Sequence, residues 1–237
     1  MNIEFRARYS FDTFVVGSGN RSAYDAAQAM LQRFGRVGKP VVLCGGAGAG
    51  KKHLMQAIEH EVKRRSPERA VGYLNLEAFT NELICSIKRE KVTRYFVSLS
   101  RLDVLLIDDI QFLARKVRTQ QTFAQLIGEL LRQGKQIVAG GCLSKKEFGS
   151  LLGELNLNID SWQVVEISCL DFETMLAILH RKANSSSITI PDNCLRFIAA
   201  NVHDIRKLEG ILTLLSAYAS LMKTPICLQM AQRMLAA

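Results

Sequence analysis

No stretch of this 237-residue chain approaches the run of about 18 apolar residues that a membrane-spanning helix needs. Nothing resembling a secretory signal follows the Met1-Asn2-Ile3-Glu4-Phe5-Arg6 start, so a cytoplasmic location is expected. Cysteine is scattered: Cys44, Cys85, Cys142, Cys169, Cys194 and Cys227 form no C-x-x-C pair, which argues against a zinc site or a disulfide framework. Cys44 and Cys85 lie in apolar runs, where reduced, buried thiols are common. His53, His60, His180 and His203 make no ligand pattern, and His53 and His60, at helical spacing, read as surface and boundary residues. Low-complexity linkers and internal repeats are absent as well. Acidic charge is in the minority, with 22 Asp and Glu against 31 Lys and Arg, a net charge of +9. With 48% apolar content the chain can bury a sizeable core, and an α/β part plus a smaller helical part is the natural division.

What is present centres on Val41 to Lys52, VVLCGGAGAGKK, a buried-strand pattern running into a phosphate-binding loop. Gly45, Gly50 and Lys51 satisfy G-x-x-x-x-G-K, and the loop comprises Gly45, Gly46, Ala47, Gly48, Ala49, Gly50 and Lys51. The glycines let several backbone N–H groups converge on phosphate oxygens, and Lys51 adds a point charge. An amphipathic helix pattern follows, with Leu54, Ala57 and Ile58 inward and Glu59 and Lys63 outward. A plain strand-to-helix turn would also keep glycines for packing, but would not account for Lys51. The next position ordinarily carries the Ser or Thr hydroxyl that ligates Mg²⁺, and here it is Lys52. Two readings of Lys52 are open: its ammonium takes roughly the place of the metal, or it extends into solvent.

A second motif is Val104-Leu105-Leu106-Ile107-Asp108-Asp109, a continuous apolar run of the kind found in buried parallel strands, ending in two carboxylates. Asp108 is the candidate Mg²⁺ ligand and Asp109 the candidate catalytic group that polarises the attacking water. The alternative is a strand closing in a solvated acidic turn. Further strands are expected near 41–44, 70–74, 103–108, 136–139 and 163–167, alternating with helices or loops as in a parallel sheet. From about Cys169 the pattern turns to helices only, over 171–184, 191–201 opening at Pro191, 204–222, and 226–235 after Pro225.

The segments FDTFVVGSGN (Phe11 to Asn20), FTNELI (Phe79 to Ile84), DVLLIDDIQFLA (Asp103 to Ala114), KQIV (Lys135 to Val138), ETMLAIL (Glu173 to Leu179) and IRKLEGIL (Ile205 to Leu212) resemble, in order, the AAA+ domain of the bacterial replication initiator DnaA. The resemblance implies an AAA+ P-loop NTPase fold: a five-stranded parallel sheet flanked by helices over 1–168, and a small helical lid over 169–237. It implies ATP or ADP as cofactor. Val16, Gly17 and Asn20 match the turn that lies against the adenine, the Gly45–Lys52 loop takes the phosphates, and Asp108 and Asp109 match the metal and water positions. Arg206 matches the sensor-2 arginine that reaches the nucleotide from the lid. Lys116 and Arg118 match basic positions that grip single-stranded DNA, with Ile84 matching the apolar residue beside the strand.

Three positions depart from the family pattern. Besides Lys52, Cys142 follows Gly140-Gly141 where the family has a polar sensor-1 residue, and Asn158 falls where the family has its arginine finger. An arginine finger alone is worth about 10³ to 10⁵ in rate. Weak or no hydrolysis is therefore expected, and Mg²⁺ enters as a candidate cofactor with Asp108 but not a hydroxyl to hold it. The positive excess lies mainly in residues 1–170, with 24 basic against 17 acidic side chains, compared with 7 against 5 thereafter. That surplus suits a polyanionic partner, although a basic solvated surface looks the same. Neither the family's duplex-reading C-terminal domain nor its N-terminal domain is seen between Met1 and Ala237, so sequence-specific duplex reading is not expected. The leading expectation is a nucleotide-binding regulator of replication initiation that binds initiator or other AAA+ subunits and single-stranded DNA. In plan it is similar to stand-alone Hda-like proteins, without their Q-x-L-x-L-F clamp peptide. The alternatives are an active, DNA-stimulated ATPase related to initiators or helicase loaders, and a scaffold that needs no nucleotide.

Overall fold

Five short runs of apolar residues form the strands β1 (Val41–Gly45), β2 (Val71–Asn75), β3 (Val104–Asp108), β4 (Gln136–Gly141) and β5 (Gln163–Ile167). In this computed structural model residues 9–32, 38–88, 97–114, 116–185, 189–202 and 204–236 are described. All strand pairs are parallel, in the order β2-β3-β4-β1-β5. Burial follows from that order. The inner strand β3 is buried at every residue, as its unbroken VLLID sequence requires, while the edge strands β2 and β5 are only partly covered.

The helices α1 (Arg21–Gln32), α2 (Lys51–Arg65), α3 (Leu76–Lys88), α4 (Val117–Arg132) and α5 (Lys145–Glu154) accompany these strands. Helix α2 turns Leu54, Ala57 and Ile58 inward, and its outward face pairs Lys63 with Glu59. The core of this part includes Phe79 against Phe123, ring centroids 6.2 Å apart, and Phe148 against Trp162 at 5.4 Å, both edge-on. Local chemistry sets the helix ends. Ser144 and Glu147 form a reciprocal capping box at the start of α5. Gly134, with φ +71°, closes α4 through Lys135 N–H to Leu130 O (2.9 Å) and Gly134 N–H to Leu131 O (3.0 Å).

The chain divides into two compact units. One includes Ser22–Gly46 and Lys51–Ile167; the other comprises Val15–Arg21, Ala47–Gly50 and Ser168–Ala237. In the second, the helices α6 (Phe172–Ser185), α7 (Asp192–Asn201), α8 (Ile205–Met222) and α9 (Leu228–Ala236) pack around Leu179, Cys194, Ile198, Leu208 and Leu215. β5 has the limits read off the sequence, the other four strands differ from theirs by one or two residues, and α9 begins at Leu228 rather than 226, with Cys227 O accepting from Met230 N–H at its entry. Among the described residues no helix is long and apolar enough to cross a membrane.

Candidate functional site

Strand order brings the two sequence motifs to one end of the sheet. β3 ends in Asp108, β1 ends in Gly45, and β4 lies between them and runs into Cys142. Ligand sites in open parallel sheets form at these carboxyl ends. Lys51 opens α2 and is only 7% exposed, so its ammonium must be satisfied by protein groups. It donates to Gly45 O (2.8 Å) and Gly46 O (2.7 Å), and its third proton faces Cys142 Sγ at 3.5 Å, a weak acceptor. The cation is thus held by the Gly45 and Gly46 carbonyls and the Cys142 sulfur. Cys44, one residue before the loop, is fully buried, and burial first, then Glu166, pushes its thiol up to about 11.

Each carboxylate at the end of β3 is tied down by neighbours the motifs do not include. Asp108 accepts a short hydrogen bond from the Tyr73 hydroxyl on Oδ2, and its Oδ1 accepts from Asp109 N–H at 3.0 Å. Burial, with the Asp108 hydrogen bond and charge behind it, holds the Tyr73 phenol well above its ordinary value and keeps it a donor. Asp109 sits in the left-handed region (φ 59°), where aspartate is among the better-tolerated residues. Asn75 donates to its Oδ2 at 3.2 Å and Gln111 to its Oδ1 at 2.9 Å. Gln111 Oε1 in turn accepts from Cys142 N–H at 3.0 Å, joining the ends of β3 and β4. Gly141 leaves room for this link, since a Cβ there would lie 2.8 Å from Ile110 Cγ2 and 3.0 Å from Gln111 Oε1.

Tyr73, Asn75 and Gln111 were missed in the sequence. Tyr73 and Asn75 share a face of β2, and Asn75 stands in register with Asp108. Nothing short of the β2–β3 pairing would have pointed to them.

Mg²⁺, which P-loop folds commonly use, demands near-octahedral oxygen coordination. The donor set here does not fit it. The hydroxyl position is Lys52, both Asp108 oxygens already accept hydrogen bonds, and the exposed Lys52 ammonium lies 5.7 Å from the centroid of the Tyr73 ring whose hydroxyl reaches Asp108.

In the second unit, Val16, Gly17 and Asn20 form a self-bonded turn. Asn20, 2% exposed, accepts from Gly17 N–H (2.8 Å) and donates to Val15 O (3.0 Å). The phosphate-loop segment Ala47–Gly50 includes Gly48 and Gly50 with positive φ, 74° and 99°. A Cβ on Gly48 would come within 2.5 Å of Asp204 Oδ1. Asp204 caps α8 by accepting from Arg206 N–H at 2.8 Å, and Arg206 is exposed, its guanidinium 3.5 Å from the same carboxylate. The Asn158 side chain caps a single 3-10 turn, accepting from Asp160 N–H at 2.9 Å. It acts there as a local cap and offers no cation.

Of the residues matched to DNA contact, Lys116 is half-buried with its ammonium 5.7 Å from the Phe112 ring centroid, and Phe112 is itself exposed. Arg118 and Ile84 lie in α4 and α3, and their side chains lie outside the described residues.

The model of the bacterial DnaA ATPase domain matches residues 5–159. This chain belongs to the DnaA ATPase domain family. The chromosomal replication initiator DnaA of Symbiobacterium thermophilum is 40% identical over 225 residues, 94% of this chain and 49% of that protein. This DnaA-family chain therefore spans about half the length of that relative. Domain III of the Thermotoga maritima DnaA superposes with a TM-score of 0.87 at 31% identity, covering 94% of each chain. A structure of a replication initiator DnaA bound to AMPPCP and single-stranded DNA superposes with a TM-score of 0.74 at 27% identity, covering 88% of this chain and 65% of the other. The fold is accordingly that of the AAA+ domain of DnaA, a parallel five-stranded sheet flanked by helices with a helical C-terminal region.

Proposed function

We propose that this protein is a nucleotide-binding AAA+ module of replication initiation that holds ATP or ADP but hydrolyses it slowly. The observation that carries this reading is the contrast at the carboxyl end of the sheet. Lys51 is held by Gly45 O and Gly46 O at 2.7–2.8 Å, as a phosphate-binding lysine should be, while the groups that speed phosphoryl transfer are replaced. Cys142 stands at the sensor-1 position and Asn158 at the finger position. Asp109, the group for the attacking water, has both oxygens engaged by Asn75 and Gln111.

In this reading Val16, Gly17 and Asn20 take the base, Gly45 through Lys52 take the phosphates, Arg206 is the sensor-2 arginine, and Asp108 orders the phosphate end through Tyr73. The proposed partners are initiator subunits and single-stranded DNA, the latter contacted by Lys116, Arg118 and Ile84. An AMPPCP- and single-stranded-DNA-bound DnaA sharing this fold supports both assignments. The cytoplasm is the proposed location. A subunit without a finger arginine can join an initiator filament on one side yet cannot trigger hydrolysis in its neighbour, so such a module caps or stalls assembly.

Calorimetric titration with ATP and ADP on wild type and Lys51→Ala tests the core of the proposal. Binding that Lys51→Ala abolishes supports it, and no binding by wild type makes the protein a nucleotide-independent scaffold. Phosphate release on adding single-stranded DNA or an initiator, lost in Asp109→Asn, would make it an active ATPase. Addition to a preformed initiator filament tests capping: longer filaments with normal hydrolysis contradict it.

A further inference from the structure

The Lys52 ammonium lies 5.7 Å from the centroid of the Tyr73 ring, whose hydroxyl reaches Asp108, the carboxylate that a P-loop metal would use. Resting on the nucleotide-binding reading above, we infer that this protein binds its nucleotide free of Mg²⁺, with the Lys52 ammonium neutralising the outer phosphates in the metal's stead.

Three observations within one unit lead there. First, the metal's hydroxyl ligand is gone, and the residue in its place is a cation on the first turn of α2, next to the buried ammonium of Lys51. Two lysines at the start of α2 give this end of the sheet a positive field that repels a dication and attracts a polyphosphate. Second, Asp108 is committed: its Oδ2 accepts from the Tyr73 hydroxyl and its Oδ1 from Asp109 N–H at 3.0 Å. An inner-sphere metal would have to displace or crowd these donors, and Mg²⁺ tolerates poor geometry badly. Third, Lys52 does not simply extend away. Its Nζ lies 5.7 Å from the Tyr73 ring centroid, one aromatic ring from Asp108. The ring face supplies a cation–π contact that keeps the ammonium at the phosphate end of the sheet without neutralising it.

The arrangement separates binding from metal. The ammonium is tethered, so its ordering is largely completed by folding, whereas Mg²⁺ in solution would compete with Lys52 for the same phosphate oxygens. Added Mg²⁺ should therefore leave affinity unchanged or lower it. It also deepens the account of slow turnover, because an ammonium on a flexible stem carries one charge where a dication carries two, and holds the phosphate oxygens less rigidly.

The test is equilibrium binding of ATP and ADP to the whole chain, in excess Mg²⁺ and in excess EDTA, for wild type, Lys52→Thr and Lys51→Ala, with thermal melts confirming that each variant is folded. Wild type is expected to bind at least as tightly in EDTA as in Mg²⁺. Lys52→Thr, which restores the hydroxyl, is expected to lose more than about tenfold in EDTA relative to Mg²⁺. Wild-type affinity falling more than about tenfold in EDTA overturns the inference and leaves the nucleotide-binding reading standing. So does a Lys52→Thr protein as indifferent to Mg²⁺ as wild type. No binding by wild type in either condition, or binding that survives in Lys51→Ala, overturns the nucleotide reading and this inference with it.

Discussion

Gly17 has no room for a side chain. A Cβ there would lie 1.9 Å from Thr174 Oγ1, and Thr174 is itself buried. Gly17→Ala is expected to destabilise the protein by roughly 1–3 kcal/mol through overpacking, measured as a lower urea midpoint at unchanged slope. A neighbouring contact responds to pH. Asp171 is held down at about 2, chiefly by the Ser18 hydroxyl and then by the side chain and N–H of Thr174. A depressed carboxylate contributes stability above its unfolded value of about 3.9, and that contribution is lost as pH falls through the folded value. Ser18→Ala removes the largest cause, so the gap in melting temperature between wild type and variant should be widest above pH ~5 and close towards pH ~2. A gap independent of pH would mean that Ser18 acts through packing instead. At this scale the glycine loop, Lys51 and the Asp108–Asp109 pair were legible because each motif is contiguous. The Tyr73 and Asn75 bonds were not, since they span 35 and 34 positions.

The strands and the four C-terminal helices follow from local patterns: unbroken apolar runs for strands covered on both faces, a 3.6-residue period with Pro191 just ahead of α7, and Asp204 capping α8. Their ends are less legible, because caps and turn bonds set them. α5 starts at its Ser144–Glu147 box, and Ser144→Ala should cost about 1 kcal/mol, measurable by chemical denaturation. Phe123 in α4 is fully buried against Phe79, and Phe123→Ala should cost roughly 3–5 kcal/mol. A loss as small as that of a surface change would mean the helix can collapse into the space. Between the acidic strand end and the first turn of α4, Phe112 and Val117 are exposed, and the Lys116 ammonium lies near the Phe112 ring. An apolar surface beside a cation is what a sequence-tolerant single-strand groove needs.

Across the whole chain, the surplus of +9 makes single-strand binding a salt-dependent event in the proposed function. Affinity for an oligonucleotide should fall linearly on a log–log plot against salt. Lys116→Ala should flatten that slope by about one ion while weakening all sequences alike, as a phosphate contact does. A loss confined to one sequence would make Lys116 a base reader and remove it from a backbone-tracking groove.

By itself the sequence determined the class of fold, the phosphate loop, the two carboxylates and membership in the DnaA ATPase domain family, because each is carried by adjacent residues or by local periodicity. It also showed that Lys52, Cys142 and Asn158 depart from the expected chemistry. Tertiary structure alone decided what those departures meet. The order β2-β3-β4-β1-β5 puts Tyr73 on Asp108, Asn75 on Asp109, Cys142 N–H on Gln111, and Cys142 Sγ on Lys51. These contacts depend on which strands become neighbours, and strand order is set by how helices pack on the sheet as a whole, a global choice that no single segment of the chain encodes.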